Sequence, residues 1–333
     1  MATMKALYIE GPGRVEIREI PKPEPGPDEV MLRVGVVGFC GSDRKTYLGL
    51  NNMVVGPRIP GHEIGATIEK VGSVVPGHLR PGLQCTISPY TACDECNACR
   101  QGRTNTCANN KTHGVQRDGA MCEYIIVPWE KIFISSRLSL RELALVEPLT
   151  VGFHAANRGD VEDSDNVLVL GVGAVGLGAI AGANHRGAKV TALIRSQDKD
   201  DIAKAMGANK IVRPKDLPSL NQAFDVVIEA TGSSDMISAA LDAVDFAGRA
   251  VYVGYSSGDV IIGNMNKLTQ KELNVYGSRN AKAEDFNDVI RALEAGRLPV
   301  ERLISKEVSL AEAGAALQAW SDGEPAIRIL VSI

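Results

Sequence analysis

The sequence predicts an α/β protein with a β-rich first half and, in its second half, a doubly wound parallel sheet with helices on both faces. Up to about residue 150, short apolar runs are broken by Pro and Gly; after that point strand, glycine turn and helix alternate. Strands that alternate with helices imply βαβ units and a parallel sheet. The 333 residues make the chain about twice as long as the usual domain, so each half can bury its own core.

Alternating or β-branched apolar runs predict the strands of the first half. These runs are KALYI, EVMLRVGVVG, GATIEKVG and EYIIVP. Between the first two lies IPKPEPGPDEV, whose prolines cannot join an interior sheet ladder, so we expect a stiff connection there.

The second half is predicted to begin with the strand NVLVL, followed by a glycine turn and the helix AVGLGAIAGANHRG. The later strands are KVTALI, FDVVIEATG, RAVYVGY and LNVYGS, and the later helices are DDIAKAMGA and SDMISAALDAV. In EDFNDVIRALEAG one helical face carries Phe286, Val289, Ile290 and Leu293, and Gly296 marks the end. We expect the residues from 285 onward to leave the parallel sheet and pack back toward the first domain.

Composition excludes several classes of protein. With 44% hydrophobic and 23% charged residues the chain is an ordinary globular sequence, which excludes disorder, collagen-like repeats and a coiled coil. A net charge of −4 provides no basic stripe for nucleic acid. The apolar run 167–183 is shorter than the ~20 residues of a spanning helix and rich in glycine. Since no signal-peptide features are seen either, we expect a cytoplasmic protein without a membrane partner.

Four of the seven cysteines, Cys93, Cys96, Cys99 and Cys107, lie in a single loop. Four thiolates satisfy tetrahedral Zn²⁺ and leave no open position for a substrate, which favours a structural zinc site. The spacing does not match the usual ferredoxin patterns, although an iron–sulfur cluster, disulfides or unligated thiols remain as alternatives.

A second group of potential ligands consists of Cys40, His62, Glu63 and Glu147. One thiolate, one imidazole and one or two carboxylates supply three or four zinc ligands and leave room for water or a substrate oxygen. Each residue alone has a simpler interpretation as a core or surface side chain. Because adjacent residues of a strand point to opposite faces, a tight turn at Gly61 would have to direct both His62 and Glu63 inward.

The sequence GVGAVG predicts a dinucleotide-binding loop, because it follows a predicted strand and opens a predicted helix. Its glycines, Gly171, Gly173 and Gly176, allow a tight turn, and the helix N-terminus at Ala174 and Val175 favours a pyrophosphate.

The next strand ends in Ile194, Arg195 and Ser196, where an NAD-preferring site usually has an acidic residue. A fixed positive charge and a hydroxyl suit a 2′-phosphate, so we expect NADP to be preferred over NAD. Arg195 has two other interpretations, stacking on adenine or pointing into solvent.

With these motifs in this order, the chain resembles the zinc-dependent medium-chain alcohol dehydrogenases over essentially its whole length. The motifs are CGSD, GHE, the four-cysteine lobe, DGAMCEYIIVP, VEPL and GVGAVG. GHE together with VEPL is more similar to the sorbitol, polyol and threonine dehydrogenase branch than to the ethanol-oxidising branch. The resemblance implies a GroES-like catalytic domain over 1–150, with the zinc lobe at about 90–110, completed by 285–333. It implies a Rossmann domain over 151–284.

The resemblance also implies roles for individual residues. Cys40, His62 and Glu63 would bind a catalytic zinc, and Glu147 would be a fourth ligand or contact the zinc-bound water. Ser42 would receive the substrate proton, and Asp43 would support the metal site. Related sequences often have a histidine where this chain has Lys45, which puts the outer end of the proton path in doubt.

The expected function is therefore reversible hydride transfer between a secondary alcohol, such as a polyol or sugar acid, and a nicotinamide cofactor, with two zinc ions per chain. Two alternatives stay open: a metal-independent quinone or enone reductase on the same fold, and a non-catalytic NADPH-binding regulatory protein. Arg279 is a further candidate cofactor residue. By resemblance we expect a homodimer or homotetramer, in which the predicted strand RAVYVGY and the segment after it pair across subunits.

Overall fold

A computed structural model describes residues 2–256 and 258–333. They form two compact units. The first unit runs to Glu147 and also contains Phe286–Ala295 and Val300–Ile333, and the second consists of Pro148–Asp285 and Gly296–Pro299.

The strands follow one another along the chain as β1 (Thr3–Gly11), β2 (Arg14–Pro21), β3 (Glu29–Gly38), β4 (Glu63–Val71), β5 (Gln84–Ile87), β6 (Tyr124–Pro128), β7 (Ile132–Ile134), β8 (Asn166–Leu170), β9 (Lys189–Leu193), β10 (Lys210–Val212), β11 (Phe224–Glu229), β12 (Val244–Tyr252), β13 (Asn274–Gly277), β14 (Ile304–Ser309) and β15 (Arg328–Ser332).

The α-helices are α1 (Gly41–Tyr47), α2 (Asn97–Arg100), α3 (Leu140–Ala144), α4 (Val146–Arg158), α5 (Ala174–His185), α6 (Asp200–Ala205), α7 (Ser234–Ala243), α8 (Met265–Gln270), α9 (Ala283–Glu294) and α10 (Ala313–Ser321). No helix in the described part of the chain is both long enough and apolar enough to cross a membrane.

The first unit is organised around β3, the most extensively paired strand of its main sheet. The sheet has the order β14-β15-β3-β4-β5-β7, and β6 also pairs with β3. Val30, Leu32 and Val37 of β3 are fully buried. At the end of β3 Gly38 pairs with Glu63 of β4 on one side and with Leu330 of β15 on the other. Strands that are far apart in sequence therefore meet just before Cys40.

The second unit contains a parallel sheet in the order β10-β9-β8-β11-β12-β13. Numbered within the unit, this is the order 3-2-1-4-5-6 of doubly wound dinucleotide-binding folds, in which ligands bind at the carboxyl ends of the strands where the order reverses. The predicted α/β class, with a β-rich first domain and a parallel-sheet second domain, is confirmed.

Several individual predictions can be compared with the structure. The helix predicted in EDFNDVIRALEAG is α9, and its predicted apolar face is buried. The last two strands, β14 and β15, lie in the sheet of the first unit, as expected. The expectation that RAVYVGY pairs across subunits is wrong, because β12 is paired on both sides, with β11 and β13. The strand at this edge of the sheet is β13.

Candidate active site

Cys40, His62 and Glu63 form a compact cluster in the first unit, where one potential ligand atom from each residue lies within 4.8 Å of the others. Cys40 follows β3 and caps the N-terminus of α1, and Glu63 is the first residue of β4. His62 is 6% exposed and Glu63 is fully buried. The sheet pairing of β3 with β4 thus brings together three residues that the sequence separates.

Gly61 allows both His62 and Glu63 to take part. Its φ is +100°, in the left-handed region that favours glycine. A Cβ at this position would lie 2.7 Å from Cγ1 of Val37. The turn leaves His62 outside the regular strand, so the alternation of side chains along β4 does not separate it from Glu63. The turn expected from the sequence is present.

A loop after the cysteine lobe supports this turn from outside. The amide of Gly119 donates to the carbonyl of Ile59 at 2.7 Å, that of Ala120 to Gly61 at 3.0 Å, and that of Met121 to Pro60 at 2.9 Å. These bonds fix the backbone immediately before His62. The DGAMCEY motif therefore contributes to the site through its backbone.

Helix α1 places the next two predicted residues beside the cluster. The backbone amide of Cys40 donates to Oδ2 of Asp43 at 2.8 Å. Burial raises the pKa of Asp43 to about 6, although the neighbouring His62 lowers it. The Oγ of Ser42 is buried and has no hydrogen-bond partner among the described residues. Lys45 is exposed.

Glu147, at the start of α4, is 4% exposed and lies outside the three-residue cluster. Its Oε1 accepts a hydrogen bond from the hydroxyl of Tyr90. Burial raises the pKa of Glu147, and the charge of Glu63 raises it further, against the opposing effect of His62. Burial and the neighbouring carboxylate raise the pKa of Tyr90 as well. Tyr90 therefore keeps its proton and holds one oxygen of Glu147 in place.

Arg328 of β15 forms an ion pair with Glu63, with 3.2 Å between Nη2 and Oε1. The side chains are 6% and 0% exposed. Nη1 of Arg328 also donates to the carbonyl of Phe39 at 3.3 Å. Burial opposes the positive charge, but Glu63, together with Cys40, Glu147 and Asp43, raises the pKa of Arg328. The last strand thus supplies a fixed cation next to the acidic ligands.

The donor set fits a divalent cation. Both carboxylate oxygens of Glu63 and Nδ1 of His62 are buried and have no hydrogen-bond partner among the described residues. Burial lowers the pKa of His62, but Cys40, Glu147 and Asp43 together raise it above its usual value. A positive charge is therefore stabilised at this position. Sulfur, imidazole and carboxylate ligands around an accessible position are the chemistry of a catalytic zinc site.

The four cysteines of the lobe also come together, with all four Sγ atoms within 4.8 Å of one another. The Sγ atoms of Cys93 and Cys107 are 3.5 Å apart, too far for a disulfide bond. Tetrahedral zinc with Zn–S bonds of about 2.3 Å separates the sulfurs by about 3.8 Å. Backbone amides of Ala108 and Cys99 lower the pKa of Cys96 to about 6, whereas burial raises that of Cys107 to about 11. The arrangement fits one four-coordinate ion.

The glycine motif borders a cavity of about 640 Å³ in the second unit. Gly171, with φ +98°, and Gly173, which caps α5, line the cavity together with Arg195, Ser196 and Lys199. A Cβ at Gly176 would overlap the carbonyl of Gly171. Ala174 and Val175 form the first turn of α5. Arg279 follows β13 and is not among the residues that line this cavity.

Sequence reasoning missed Tyr90 and Arg328. Tyr90 stands in an irregular segment before the lobe, and no local pattern marks it. Arg328 offered a weak signal, a charged residue at the start of an otherwise apolar strand. Two aromatic residues considered as substrate neighbours have structural roles instead. Tyr47 is buried in the core of the first unit, and Trp129 packs against that core.

Comparison with known proteins agrees with this geometry. A family model described as alcohol dehydrogenase GroES-like domain matches residues 26–136, and one described as zinc-binding dehydrogenase matches residues 174–295. The chain belongs to the zinc-type medium-chain dehydrogenases. An Escherichia coli (strain K12) L-galactonate-5-dehydrogenase is 31% identical over 318 residues, which are 92% of this chain and 92% of that protein.

Two solved structures have the same fold as this zinc-type dehydrogenase. A zinc-binding dehydrogenase from Sinorhizobium meliloti 1021, bound to NADP, has a TM-score of 0.91, 28% identity and full coverage of both chains. A short chain alcohol dehydrogenase, RspB, from Escherichia coli CFT073, complexed with NADH, has a TM-score of 0.92 and 26% identity, again with full coverage of both chains.

The predicted family, including its polyol-dehydrogenase-like branch, is thereby confirmed. So is the predicted activity at its coarser level. The protein is an enzyme that oxidises and reduces an alcohol carbon with a nicotinamide cofactor and zinc.

Proposed function

We propose that this dehydrogenase interconverts a secondary alcohol of the polyol or sugar-acid class and its ketone, with NADP as the preferred cofactor and two zinc ions per chain. The cluster of Cys40, His62 and Glu63 is the observation that carries the proposal. The names of relatives such as L-galactonate-5-dehydrogenase support the substrate class.

In this proposal Cys40, His62 and Glu63 hold the catalytic zinc, and Glu147, oriented by Tyr90, completes the set. When bound, the zinc polarises the alcohol oxygen and the nicotinamide accepts or returns the hydride. The protein's own task is to hold these ligands and to remove one proton. Arg328 keeps Glu63 oriented and offsets part of the negative charge that the ligands concentrate there.

Ser42 is the first proton acceptor in this proposal. Its Oγ is buried beside the cluster and has no hydrogen-bond partner among the described residues, so it is available to a substrate hydroxyl. A proton on Ser42 must then reach solvent. The exposed Lys45 is not a histidine, so the outward path differs from the one expected by resemblance.

Cys93, Cys96, Cys99 and Cys107 hold the second zinc, whose role is structural. Four sulfur ligands leave no coordination position for a substrate. The lobe has little core of its own, since among its cysteines only Cys99 and Cys107 are buried. We infer that the metal supplies the stability that apolar burial does not.

NADP preference rests on the carboxyl end of β9. There Ile194 is buried, Arg195 and Ser196 are exposed at the cavity, and Lys199 lines the same cavity. A doubly negative 2′-phosphate is favoured by two nearby cations. Asp200 is engaged by Arg213, with a bond of 2.8 Å to Nη1, and is not positioned to take a ribose hydroxyl instead.

Nicotinamide absorbance with zinc-loaded protein tests the proposal. The panel contains sugar alcohols, aldonic acids, threonine and simple diols, each with NADP and with NAD. Turnover confined to polyhydroxylated substrates, and faster with NADP, is the expected result. Turnover only on enones or quinones would contradict it in favour of a metal-independent reductase. Cofactor binding without any turnover would indicate a regulatory protein.

We further propose a cytoplasmic homodimer or homotetramer, supported by the edge position of β13 in its sheet. Sedimentation equilibrium tests the assembly, and a monomer at micromolar concentration would contradict it.

A further inference from the structure

His113 is a buried histidine that the catalytic proposal does not use. It lies between the cysteine lobe and β6 and is 6% exposed. Its Nδ1 is 2.8 Å from the backbone carbonyl of Asp118. A carbonyl oxygen only accepts, so Nδ1 must carry the ring proton and donate it. The bond therefore fixes the tautomer of the imidazole.

The other ring nitrogen is left as a hydrogen-bond acceptor. Nε2 of His113 is buried and has no hydrogen-bond partner among the described residues. Burial, together with the charges of Arg117 and His62, lowers the pKa of His113 to about 4. The ring is thus neutral at physiological pH. Buried polar atoms are normally paired, so a buried acceptor without a protein partner is suited to a donor from a ligand or from water.

Both sides of His113 are attached to the candidate active site. Its backbone amide donates to the carbonyl of Pro89 at 3.1 Å, and the residue after Pro89, Tyr90, holds Glu147. On the other side of His113, Gly114 packs so closely that a Cβ there would lie 2.6 Å from the amide nitrogen of Gly61. Gly61 directly precedes the ligand His62. The position of His113 therefore depends on the same backbone that positions the ligands.

We propose that His113 is a specificity-determining residue whose Nε2 accepts a hydrogen bond from a substrate hydroxyl other than the one that is oxidised. The inference rests on the proposed function and narrows it to alcohols with a second hydroxyl close to the reacting carbon. A neutral imidazole that can only accept at Nε2 selects an O–H donor. A site built to pair with a hydroxyl discriminates against the analogue that lacks it.

The test compares 2,3-butanediol with 2-butanol, which differ in one hydroxyl. The value of kcat/KM is measured with NADP for the zinc-loaded wild type, His113→Leu, His113→Gln and the surface control His78→Leu. We expect the wild type to favour the diol, and His113→Leu to lose about tenfold on the diol with little change on 2-butanol. Gln, which retains an acceptor, restores part of the preference. His78→Leu leaves it unchanged.

An unchanged ratio in His113→Leu, or an equal loss on both alcohols, would overturn the inference, because the latter is what a purely structural role produces. A readout without turnover separates this from failure of the proposed function. The ¹⁵N resonance of His113 Nε2 in the wild type should move when the diol is added and stay in place with 2-butanol. If the wild type turns over neither alcohol, the proposed function fails; a resonance that does not move overturns the role of His113.

Discussion

The four cysteines of the lobe lie within a single loop, whereas the catalytic cluster takes its residues from the ends of β3 and β4 and its supporting cation from β15. Two of the lobe sulfurs belong to partly exposed residues, while His62 and Glu63 are buried. The lobe has a closed set of four sulfurs; the cluster has three different ligands and unpaired buried atoms beside it. A structural metal can be held by local sequence, but a reactive one needs a tertiary framework that keeps a position open.

Replacement of Cys40 by Ser should have the largest effect on activity. Loss of the thiolate removes a ligand that only the catalytic cluster uses, so kcat should fall by at least about a thousandfold, or about 4 kcal/mol. Dinucleotide binding and thermal stability should stay near wild type, since the glycine loop and the lobe are unaffected. Steady-state kinetics and fluorescence titration with NADPH measure both. Unchanged turnover would remove Cys40 from the catalytic site.

Cys96→Ser should have its main effect on stability. Without the fourth sulfur the lobe loses its zinc, and the free energy of unfolding should fall by about 3 kcal/mol or more. Calorimetry with and without a chelator measures this change. Cys85→Ala is the matched control, because Cys85 is buried but outside both clusters. If chelator lowers the unfolding temperature of Cys96→Ser as much as that of the wild type, the lobe is not a zinc site.

Arg328→Leu tests whether the catalytic cluster depends on its distant strand. Removing the cation leaves the buried Glu63 without its ion-pair partner, and we expect a 10- to 100-fold loss in zinc affinity or in kcat. Arg328→Lys keeps the charge and should lose less. Zinc release to a chromogenic chelator gives a measure that does not depend on turnover. Wild-type zinc release and wild-type kcat in Arg328→Leu would show that the ion pair does not position Glu63.

Tyr90→Phe should have the smallest effect, because it removes one hydrogen bond to Glu147 and little volume. A loss of about two- to tenfold in kcat/KM is expected, with zinc content near wild type. The comparison is sharpened if the loss is confined to catalysis. A loss of stability without a change in kcat/KM would instead assign Tyr90 a role in packing.

Local signals were sufficient to predict much of the chain. Alternating runs and glycine turns indicated the α/β class, and the glycine motif indicated the start of α5, since each depends on neighbouring residues. The lobe could be predicted because the spacing of its cysteines alone brings the ligands together. Cys40, His62 and Glu63 were recognisable as a set through resemblance, while their convergence depends on the pairing of Gly38 with Glu63.

The rest depends on contacts that no local pattern specifies. The role of Arg328 follows from the pairing of β15 with β3, which links the two ends of the chain. That of Tyr90 depends on the path of an irregular segment. The expected pairing of RAVYVGY across subunits was wrong because the strand order places β13 outside β12. Sheet order is a global property, so an apolar strand alone does not reveal whether it lies at an edge.

The most direct test of the two-site account is the zinc content of the purified wild type, Cys40→Ser and Cys96→Ser, measured by plasma mass spectrometry together with turnover. The account predicts two zinc ions per chain in the wild type and one in each variant, with Cys40→Ser folded and inactive. A wild type that contains one zinc, or a Cys40→Ser variant that retains two, would contradict it.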